Sequence, residues 1–159
     1  MNSNEIYNLL KSFFPDAVID YKDDKPVEPY IIVSAKEIDK ICLFLRDEEN
    51  LQFDYLSCLS SVDFDNDNLA AVYNLYSFVH NHKLNIKVIV PKSDPVIKTV
   101  SSVWNTANWH EREAYDLMGI IFDEHPDFRR ILLPDDWEGY PLRKDYKVQE
   151  FYNGMKVPY

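Results

Sequence analysis

Apolar residues in the first ninety positions recur at two spacings, one typical of helices and the other typical of strands. Helical spacing begins near the N-terminus and stops at Pro15, because proline cannot continue a helix. A second helix is predicted to begin at a capping box formed by Ser34 and Glu37. The positions that these two helices are expected to bury are Ile6, Leu9, Leu10, Phe13, Ile38, Ile41, Cys42 and Leu45.

Shorter apolar runs predict five strands, and the last three follow one another with only short loops between them. Loops of that length favour antiparallel pairing. In the last run alternate residues are apolar, which predicts a strand with one buried face. The predicted strands are 18–19, 30–33, 54–63, 70–79 and 84–90.

Two further helices are predicted beyond the last strand. Asp94 and Pro95 suit the N-cap and the first turn of a short helix that extends to Val103. The next helix is expected to run from an N-cap at Asn108 to a C-terminal stop at Gly119. Its apolar side is predicted to comprise Ala114, Leu117, Met118 and Ile121, with Glu111, Arg112, Glu113 and Asp116 pointing elsewhere.

These elements predict an α+β fold, with a mixed, largely antiparallel sheet and helices packed on it. A scaffold domain is expected over residues 1–122. Residues 123–159 are expected to form an extended, irregular C-terminal tail, which is punctuated by prolines and is not an independent domain.

The composition limits the function. A formal net charge of −10 and a pI near 4.7 argue against nucleic acid as a partner, because phosphate binding requires a concentrated basic patch. The chain has no run of about 18 apolar residues, and its N-terminus lacks the features of a signal peptide, so a soluble cytosolic protein is expected. Cys42 and Cys58 do not form a zinc or iron–sulfur motif, and both are expected to be buried thiols.

Residues 109–146 concentrate charged side chains among aromatic rings and prolines. Disordered tails avoid aromatic residues, so this composition favours a docking surface. In the alternative interpretation, the basic groups only neutralise nearby acids on a solvated face. Arg129 and Arg143 lie past the periodic core segments, so few of their contacts are expected to hold the sheet together. The residues predicted at a partner interface are Glu111, Arg112, Glu113, Asp116, His125, Arg129, Arg130, Trp137, Arg143, Lys144, Asp145 and Tyr146.

Independent catalysis and metal binding are not supported by the spacing of the candidate groups. Glu111 and Glu113 are two positions apart on a predicted helix, so their carboxylates diverge and cannot share a substrate proton. His80 and His82 have no carboxylate or cysteine at ligand spacing. His110 lacks the second histidine of the H-E-x-x-H zinc motif. We therefore expect no catalytic residue, no bound cofactor and no metal in this chain.

Charged residues, glycines and prolines occur in a distinctive order within residues 111–146. The order is EREAYDLMGI at 111–120, then Phe122, HPD at 125–127, RRIL at 129–132, Gly139 and PLRKDY at 141–146. This pattern strongly resembles the 30 kDa subunit family of respiratory complex I, whose bacterial members are the C subunit of the NADH-quinone oxidoreductase. Met118, Phe128 and Tyr140 depart from the residues common in that family, but they affect packing more than the charge pattern.

The resemblance implies a non-catalytic core subunit of the peripheral arm of a proton-translocating NADH:quinone oxidoreductase. Such a subunit would lie against the large quinone-site subunit and near the terminal-cluster subunit, at the cytoplasmic side of the bacterial inner membrane. It would associate with the membrane only through these partners. NADH, quinone, flavin and iron–sulfur clusters would act in the assembled complex and not bind to this chain.

Two alternatives stay open. One is the equivalent subunit of a related membrane-bound hydrogenase or of a ferredoxin-fed quinone oxidoreductase, which shares this fold and motif. The other is a free-standing binding module unrelated to respiration.

Overall fold

One mixed five-stranded sheet forms the centre of the molecule. The structure is a computed structural model that describes residues 1–24, 28–64 and 66–157, and it confirms the predicted α+β class. The helices are α1 (Ser3–Phe13), α2 (Ile38–Asp47) and α3 (Ala107–Met118). The strands are β1 (Val18–Lys22), β2 (Tyr30–Val33), β3 (Tyr55–Asp63), β4 (Asn68–Ser77), β5 (His82–Pro91), β6 (Val96–Lys98), β7 (Ile121–Asp123), β8 (Phe151–Tyr152) and β9 (Met155–Lys156).

The strand order in the large sheet is β1-β2-β5-β4-β3. Strands β3, β4 and β5 form an antiparallel meander, as their short connecting loops predict. Strand β2 pairs in parallel with β5 and antiparallel with β1, so the sheet is mixed and largely antiparallel. The sheet therefore ends in β1 on one side and in β3 on the other.

The core lies on the face of the sheet that carries the helices. Alternate residues of β4, from Leu69 to Leu75, join the buried side chains of α1 and α2. All four apolar residues predicted for the second helix are buried. In α1 only Ile6 and Leu10 are fully buried, whereas Phe13 is largely exposed and packs its ring against Phe44 at 4.8 Å between centroids.

The start of α2 differs from the predicted capping box, because a turn precedes the helix. Glu37 is the N-cap residue, and its side chain makes no capping hydrogen bond. The hydroxyl of Ser34 instead accepts a hydrogen bond from the backbone N–H of Lys36 at 3.4 Å within that turn. A capping box occurs at α1, where the side chains of Asn2 and Glu5 each accept the other's backbone N–H at 2.9 Å.

The prediction of a short helix over 94–103 is wrong, because residues near the start of this segment form strand β6. Strand β6 pairs in parallel with β7, and the N–H of Thr99 donates to the carbonyl of Asp123 at 3.0 Å. The pairing partner is distant in sequence, so local spacing does not reveal it. Ile97 is buried, whereas Ile121, predicted on the apolar side of the next helix, is exposed in β7.

Helix α3 begins earlier than predicted, with Thr106 and not Asn108 as its N-cap residue. Gly119 ends the helix as predicted, because its φ of 74° is left-handed and its N–H donates to the carbonyl of Tyr115 at 2.8 Å. The predicted division of the helix faces is wrong, since three charged residues reach the interior. The buried residues of α3 are Ala107, Glu111, Arg112, Ala114, Asp116 and Met118.

Beyond β7 the described chain is irregular apart from the small hairpin of β8 and β9. We refer to the segment from residue 124 to residue 157 as the tail. The tail returns to the domain, where the N–H of Leu142 donates to the carbonyl of Leu117 at 3.0 Å. Within the residues that the structure covers, no helix has the length and apolar character needed to span a bilayer.

Candidate partner interface

The residues predicted at a partner interface differ widely in exposure. The buried residues are Glu111, Arg112, Asp116 and His125. The partly exposed residues are Arg130, Trp137, Arg143 and Tyr146. The exposed residues are Glu113, Arg129, Lys144 and Asp145.

Asp116 fixes the start of the tail to α3. Its Oδ2 accepts hydrogen bonds from three consecutive backbone N–H groups, those of Ile131, Leu132 and Leu133, at 3.0, 2.7 and 3.0 Å. Its Oδ1 pairs with Nη1 of Arg130 at 2.7 Å. Burial raises the pKa of Asp116, but the hydrogen bonds together lower it by more than burial raises it. The pKa of Asp116 therefore lies below its ordinary value. A buried carboxylate with this many donors stays ionised and holds the tail in place.

Arg130 extends the same contact further along the tail. Its Nη1 also donates to the backbone carbonyl of Asp116 at 2.9 Å, and its Nη2 donates to the carbonyls of Trp137 and Gly139 at 3.1 and 3.3 Å. The guanidinium lies 5.5 Å from the ring centroid of Tyr140. Arg130 therefore joins three parts of the chain, and its side chain is only 11% exposed.

Arg143 binds the C-terminal end of α3. Its Nε donates to the carbonyl of Met118 at 2.6 Å, and its guanidinium lies 4.6 Å from the ring centroid of Tyr140. A cation at this end of a helix stabilises carbonyls that have no partner within the helix. A Cβ at Gly119 would lie 2.5 Å from the Tyr140 ring, so glycine is required there by close packing as well as by its φ. These contacts of Arg143 hold the tail to the end of α3, and none of them is with a strand of the large sheet.

Asp63, at the end of β3, fixes a later point of the tail. This buried carboxylate pairs with Nζ of Lys92 at 2.8 Å and accepts the backbone N–H of Lys144 at 2.9 Å. Burial raises the pKa of Asp63, but Lys92 and Lys144 lower it more, and the net pKa is below its ordinary value. Asp63 cannot be identified from the sequence, because only the folded chain brings it next to the tail.

Arg112 links α3 to the first residues of the tail. Its Nη1 pairs with Asp127 at 3.3 Å, and its Nε donates to the carbonyl of Arg129 at 3.2 Å. The guanidinium also lies 4.9 Å from the ring centroid of Trp109, and that tryptophan is 63% exposed. The side chain of Arg129 points to solvent, and its Nε contacts Asp127 at 2.9 Å.

Glu111 lies in the interior, between α3 and the segment that follows β6. Its carboxyl group accepts hydrogen bonds from the hydroxyl of Thr99 at 2.5 Å and from the N–H of Val100 at 2.7 Å. Burial raises the pKa of Glu111 to about 7, although both hydrogen bonds lower it. The divergence predicted for Glu111 and Glu113 agrees with the burial of one and the exposure of the other.

His125 lies beside Glu111, with 3.8 Å between Nε2 and the carboxyl oxygen. Its Nε2–H donates to the carbonyl of Asn108 at 3.2 Å, and its Nδ1 accepts the N–H of Asp127 at 3.1 Å. These roles define the neutral tautomer with the proton on Nε2. Burial lowers the pKa of His125, which favours the same form.

Two other histidines singled out in the sequence, His80 and His82, bind backbone carbonyls. Nε2 of His80 lies 2.9 Å from the carbonyl oxygen of Glu49, and Nε2 of His82 lies 2.9 Å from that of Leu51. These contacts join the β4–β5 hairpin to the end of α2. Across the described ranges, no group of three or more acidic, histidine or cysteine side chains is arranged to hold a metal ion. Cys42 is buried as predicted, whereas Cys58 is partly exposed, and both are free thiols.

Several large apolar side chains are exposed on α3 and the tail, although the charges of these segments are more conspicuous in the sequence. Trp109, Leu132 and Leu142 each have more than half of their surface exposed. The hairpin at the end of the tail adds Phe151 to this set. Aromatic side chains such as those of Trp109 and Phe151 are enriched in protein interfaces relative to the rest of the surface.

Two solved structures share this fold. A chain from the membrane-bound sulfane sulfur reductase, an archaeal respiratory membrane complex, superimposes with a TM-score of 0.69 and 25% identity over 91% of this chain and 85% of that one. A trypsin-resistant fragment of Nqo5 gives a TM-score of 0.64 and 25% identity over 80% of this chain and 99% of the fragment. Residues 31–152 match the family described as respiratory-chain NADH dehydrogenase, 30 Kd subunit, and the chain belongs to this family.

Curated relatives agree with this assignment over nearly the whole chain. The NADH-quinone oxidoreductase C subunit of Chloroherpeton thalassium is 53% identical over 96% of this chain, which spans 64% of that relative. The protein of the same name in Chlorobium phaeobacteroides is 46% identical over 96% of this chain and 93% of its own length. The resemblance noted in the sequence is therefore confirmed.

Proposed function

We propose that this chain is a non-catalytic core subunit of the peripheral arm of a proton-translocating NADH:quinone oxidoreductase. Its family membership, together with relatives named as the C subunit of NADH-quinone oxidoreductase, carries this proposal. The role is to support the large quinone-site subunit and the terminal-cluster subunit. NADH, quinone, flavin and iron–sulfur clusters then belong to the assembled complex, and this chain binds none of them.

The surface that makes these contacts is formed by α3 and the tail. Its buried charges, chiefly Asp116 and Arg130, bind each other and the backbone, which gives the tail a defined path before any partner binds. Four members of the predicted interface, Glu113, Arg129, Lys144 and Asp145, are exposed on this surface. A preordered surface of this kind loses less entropy on association than a disordered tail.

The tail in this proposal is an extension of the scaffold domain and not a domain of its own. It contributes to no core apart from that of the domain, and its fixed points are side chains of α3 and β3. We infer that the protein is held at the cytoplasmic side of the bacterial inner membrane through its partners.

The second candidate is the equivalent subunit of a related membrane-bound hydrogenase or of a ferredoxin-fed quinone oxidoreductase. The structural similarity to a chain of the membrane-bound sulfane sulfur reductase complex supports this second candidate. The two functions differ in the subunits that deliver electrons, and not in the fold of this subunit.

Affinity purification of the tagged chain from detergent-solubilised membranes of its own host, with identification of the proteins that co-purify, tests the proposal. We expect the quinone-site and terminal-cluster subunits together with NADH-oxidising subunits. Hydrogenase or ferredoxin-oxidising subunits in their place would support the second candidate. A stable lone monomer, with no respiratory subunit bound, would contradict both.

A further inference from the structure

A groove lies between the outer edge of β3 and the solvent-facing side of α3. It has a volume of about 280 Å³, and its walls are residues 58–61 of β3 and the helix side chains of His110, Glu113 and Leu117. Leu142 of the tail closes one end. The groove is separate from the contacts that Asp116 and Arg130 make, and Glu113 is the one residue of the predicted interface among those that line it.

The strand wall of this groove is a free sheet edge. Strand β3 is the last strand of the large sheet, and in the described part of the chain no strand pairs with its outer side. A β-bulge lies between Leu56 and Cys58, and beyond it β3 is regular, pairing residue by residue with β4 from Cys58 to Asp63. Backbone N–H and C=O groups on such an edge are ready to pair with an added strand.

The helix wall of the groove specifies the character of that strand. Ala114, Leu117 and Leu142 supply an apolar floor, and Glu113 supplies a carboxylate. Among the residues that the structure describes, the carboxylate of Glu113 has no hydrogen-bond or ionic partner. The chain as a whole carries a net charge of −10, so a basic side chain is the complementary group for this position.

We propose that the groove binds an extended segment of a partner subunit, which adds to β3 as a further strand and places a lysine or arginine against Glu113. Side chains of a strand alternate between its two faces, so every second residue of the segment faces the apolar floor. The inference rests on the proposed function, because it names the kind of contact that one partner makes with this subunit. The groove adjoins the tail at Leu142, so the segment extends the surface formed by α3 and the tail.

Two free cysteines provide an internal comparison for the first test. Cys58 lines the groove and is partly exposed, whereas Cys42 is buried in the core. The purified chain and the intact complex are treated with iodoacetamide, and modification of each thiol is followed by mass spectrometry. We expect Cys58 to react in the purified chain and at least about tenfold more slowly in the complex, with Cys42 unreactive in both. Equal rates at Cys58 in the two samples would overturn the proposal.

Amide hydrogen exchange distinguishes an added strand from any other occupant. Pairing with an extended segment protects the outward-facing amides of residues 58–61 in the complex relative to the purified chain. Residues 70–73 of β4, which already have strands on both sides, serve as the control. A helix or loop in the groove would slow the reaction of Cys58 without protecting these β3 amides, and that result would overturn the strand assignment.

Charge reversal tests the basic side chain. We expect Glu113→Lys to lower the yield of intact complex at least about tenfold, as an uncompensated like-charge contact within an interface does. Glu49→Lys is the matched control, since Glu49 is equally an exposed carboxylate but lies at the end of α2. Equal yields for the two variants would contradict the charge assignment. Failure of the unmodified chain to co-purify with respiratory subunits would instead contradict the proposed function.

Discussion

At the scale of single residues, the charges that identify this chain serve the fold as much as any partner. Asp116 and Arg130 are conspicuous in the sequence, but their mutual contact and their bonds to the backbone become evident only when the tail lies on α3. A sequence shows that a charge is present and does not show which charge is buried. Burial depends on contacts between residues far apart in the chain, such as Asp63 with Lys144.

Asp116→Asn should destabilise the folded chain by about 2–4 kcal/mol, because it removes one member of a buried charged pair and weakens three backbone hydrogen bonds. Urea unfolding of the purified protein measures the loss. Glu113→Gln is the control on the same helix, and we expect it to change stability by less than about 0.5 kcal/mol. Similar losses in both variants would show that Asp116 does not hold the tail.

Glu111 gives the opposite pH dependence from an ordinary paired carboxylate. Its pKa rises from 4.5 to about 7 on folding, so the folded protein binds this proton more tightly than the unfolded chain. The stability that the folded protein gains from holding the protonated Glu111 is fully present below pH 4.5. It declines as the pH rises from 4.5 towards 7, and it is lost above pH 7. Glu111→Gln keeps an acceptor for Val100 and a donor for Thr99 without the charge.

We therefore expect Glu111→Gln to gain stability over the wild type as the pH rises, by up to about 3 kcal/mol above pH 7, since one pKa unit corresponds to about 1.4 kcal/mol. Unfolding free energies of both proteins across this range provide the test. The lowered pKa of His125 acts in the opposite direction, but it is present in both proteins, so their difference isolates Glu111. A difference that does not vary with pH would contradict the burial of an ionisable Glu111.

Two of the arginines of the tail, Arg129 and Arg143, should differ in the effects of their substitution. Arg143→Ala removes hydrogen bonds to the carbonyls at the end of α3 and should cost about 1–2 kcal/mol in the purified chain. Arg129→Ala removes an exposed side chain and should leave unfolding within about 0.5 kcal/mol of wild type, while lowering the yield of assembled complex. Thermal unfolding and native gels measure the two effects. Unchanged assembly with Arg129→Ala would remove that residue from the interface.

At the scale of elements, the sequence predicts those that depend on local patterning. The strands of the β3–β4–β5 meander and the burial of one face of α2 follow from alternation and helical spacing. The helix predicted for the β6 segment was wrong, because its valines fit a helical spacing while its actual partner, β7, follows only after α3. The position of α3 was predictable from Gly119, but the burial of its charged face was not, since the tail that covers it has no periodic pattern.

The packing of the tail on α3 can be measured with two glycines. Gly119 and Gly154 have almost the same φ, 74° and 76°, but a Cβ would collide with Tyr140 at Gly119 and would meet nothing within 4 Å at Gly154. Both substitutions to alanine incur the strain of a left-handed residue, of about 1 kcal/mol. We expect Gly119→Ala to cost clearly more than Gly154→Ala in urea unfolding. Equal costs would mean that Tyr140 and Arg143 do not pack against the end of α3.

At the scale of the whole molecule, an acidic α+β domain carries an ordered tail and a free sheet edge, and both suit contacts with larger neighbours. The family could be identified from the sequence because the order of charged residues and glycines between 111 and 146 resembles that of the family, whose model matches residues 31–152. The groove beside β3 could not, because its two walls are separated in sequence and meet only in the fold.

NADH-dependent quinone reduction, measured in membranes from host cells that lack this chain, is the most direct test of its role as a core subunit of an NADH:quinone oxidoreductase. We expect the activity to be lost and to return when the intact chain is supplied, and we expect the purified chain alone to oxidise no NADH. Loss of ferredoxin- or hydrogen-dependent electron transfer, with the NADH-dependent activity intact, would favour the related membrane-bound complexes. Full NADH:quinone reductase activity in the absence of the chain, with no other electron transfer impaired, would contradict a role as a core respiratory subunit.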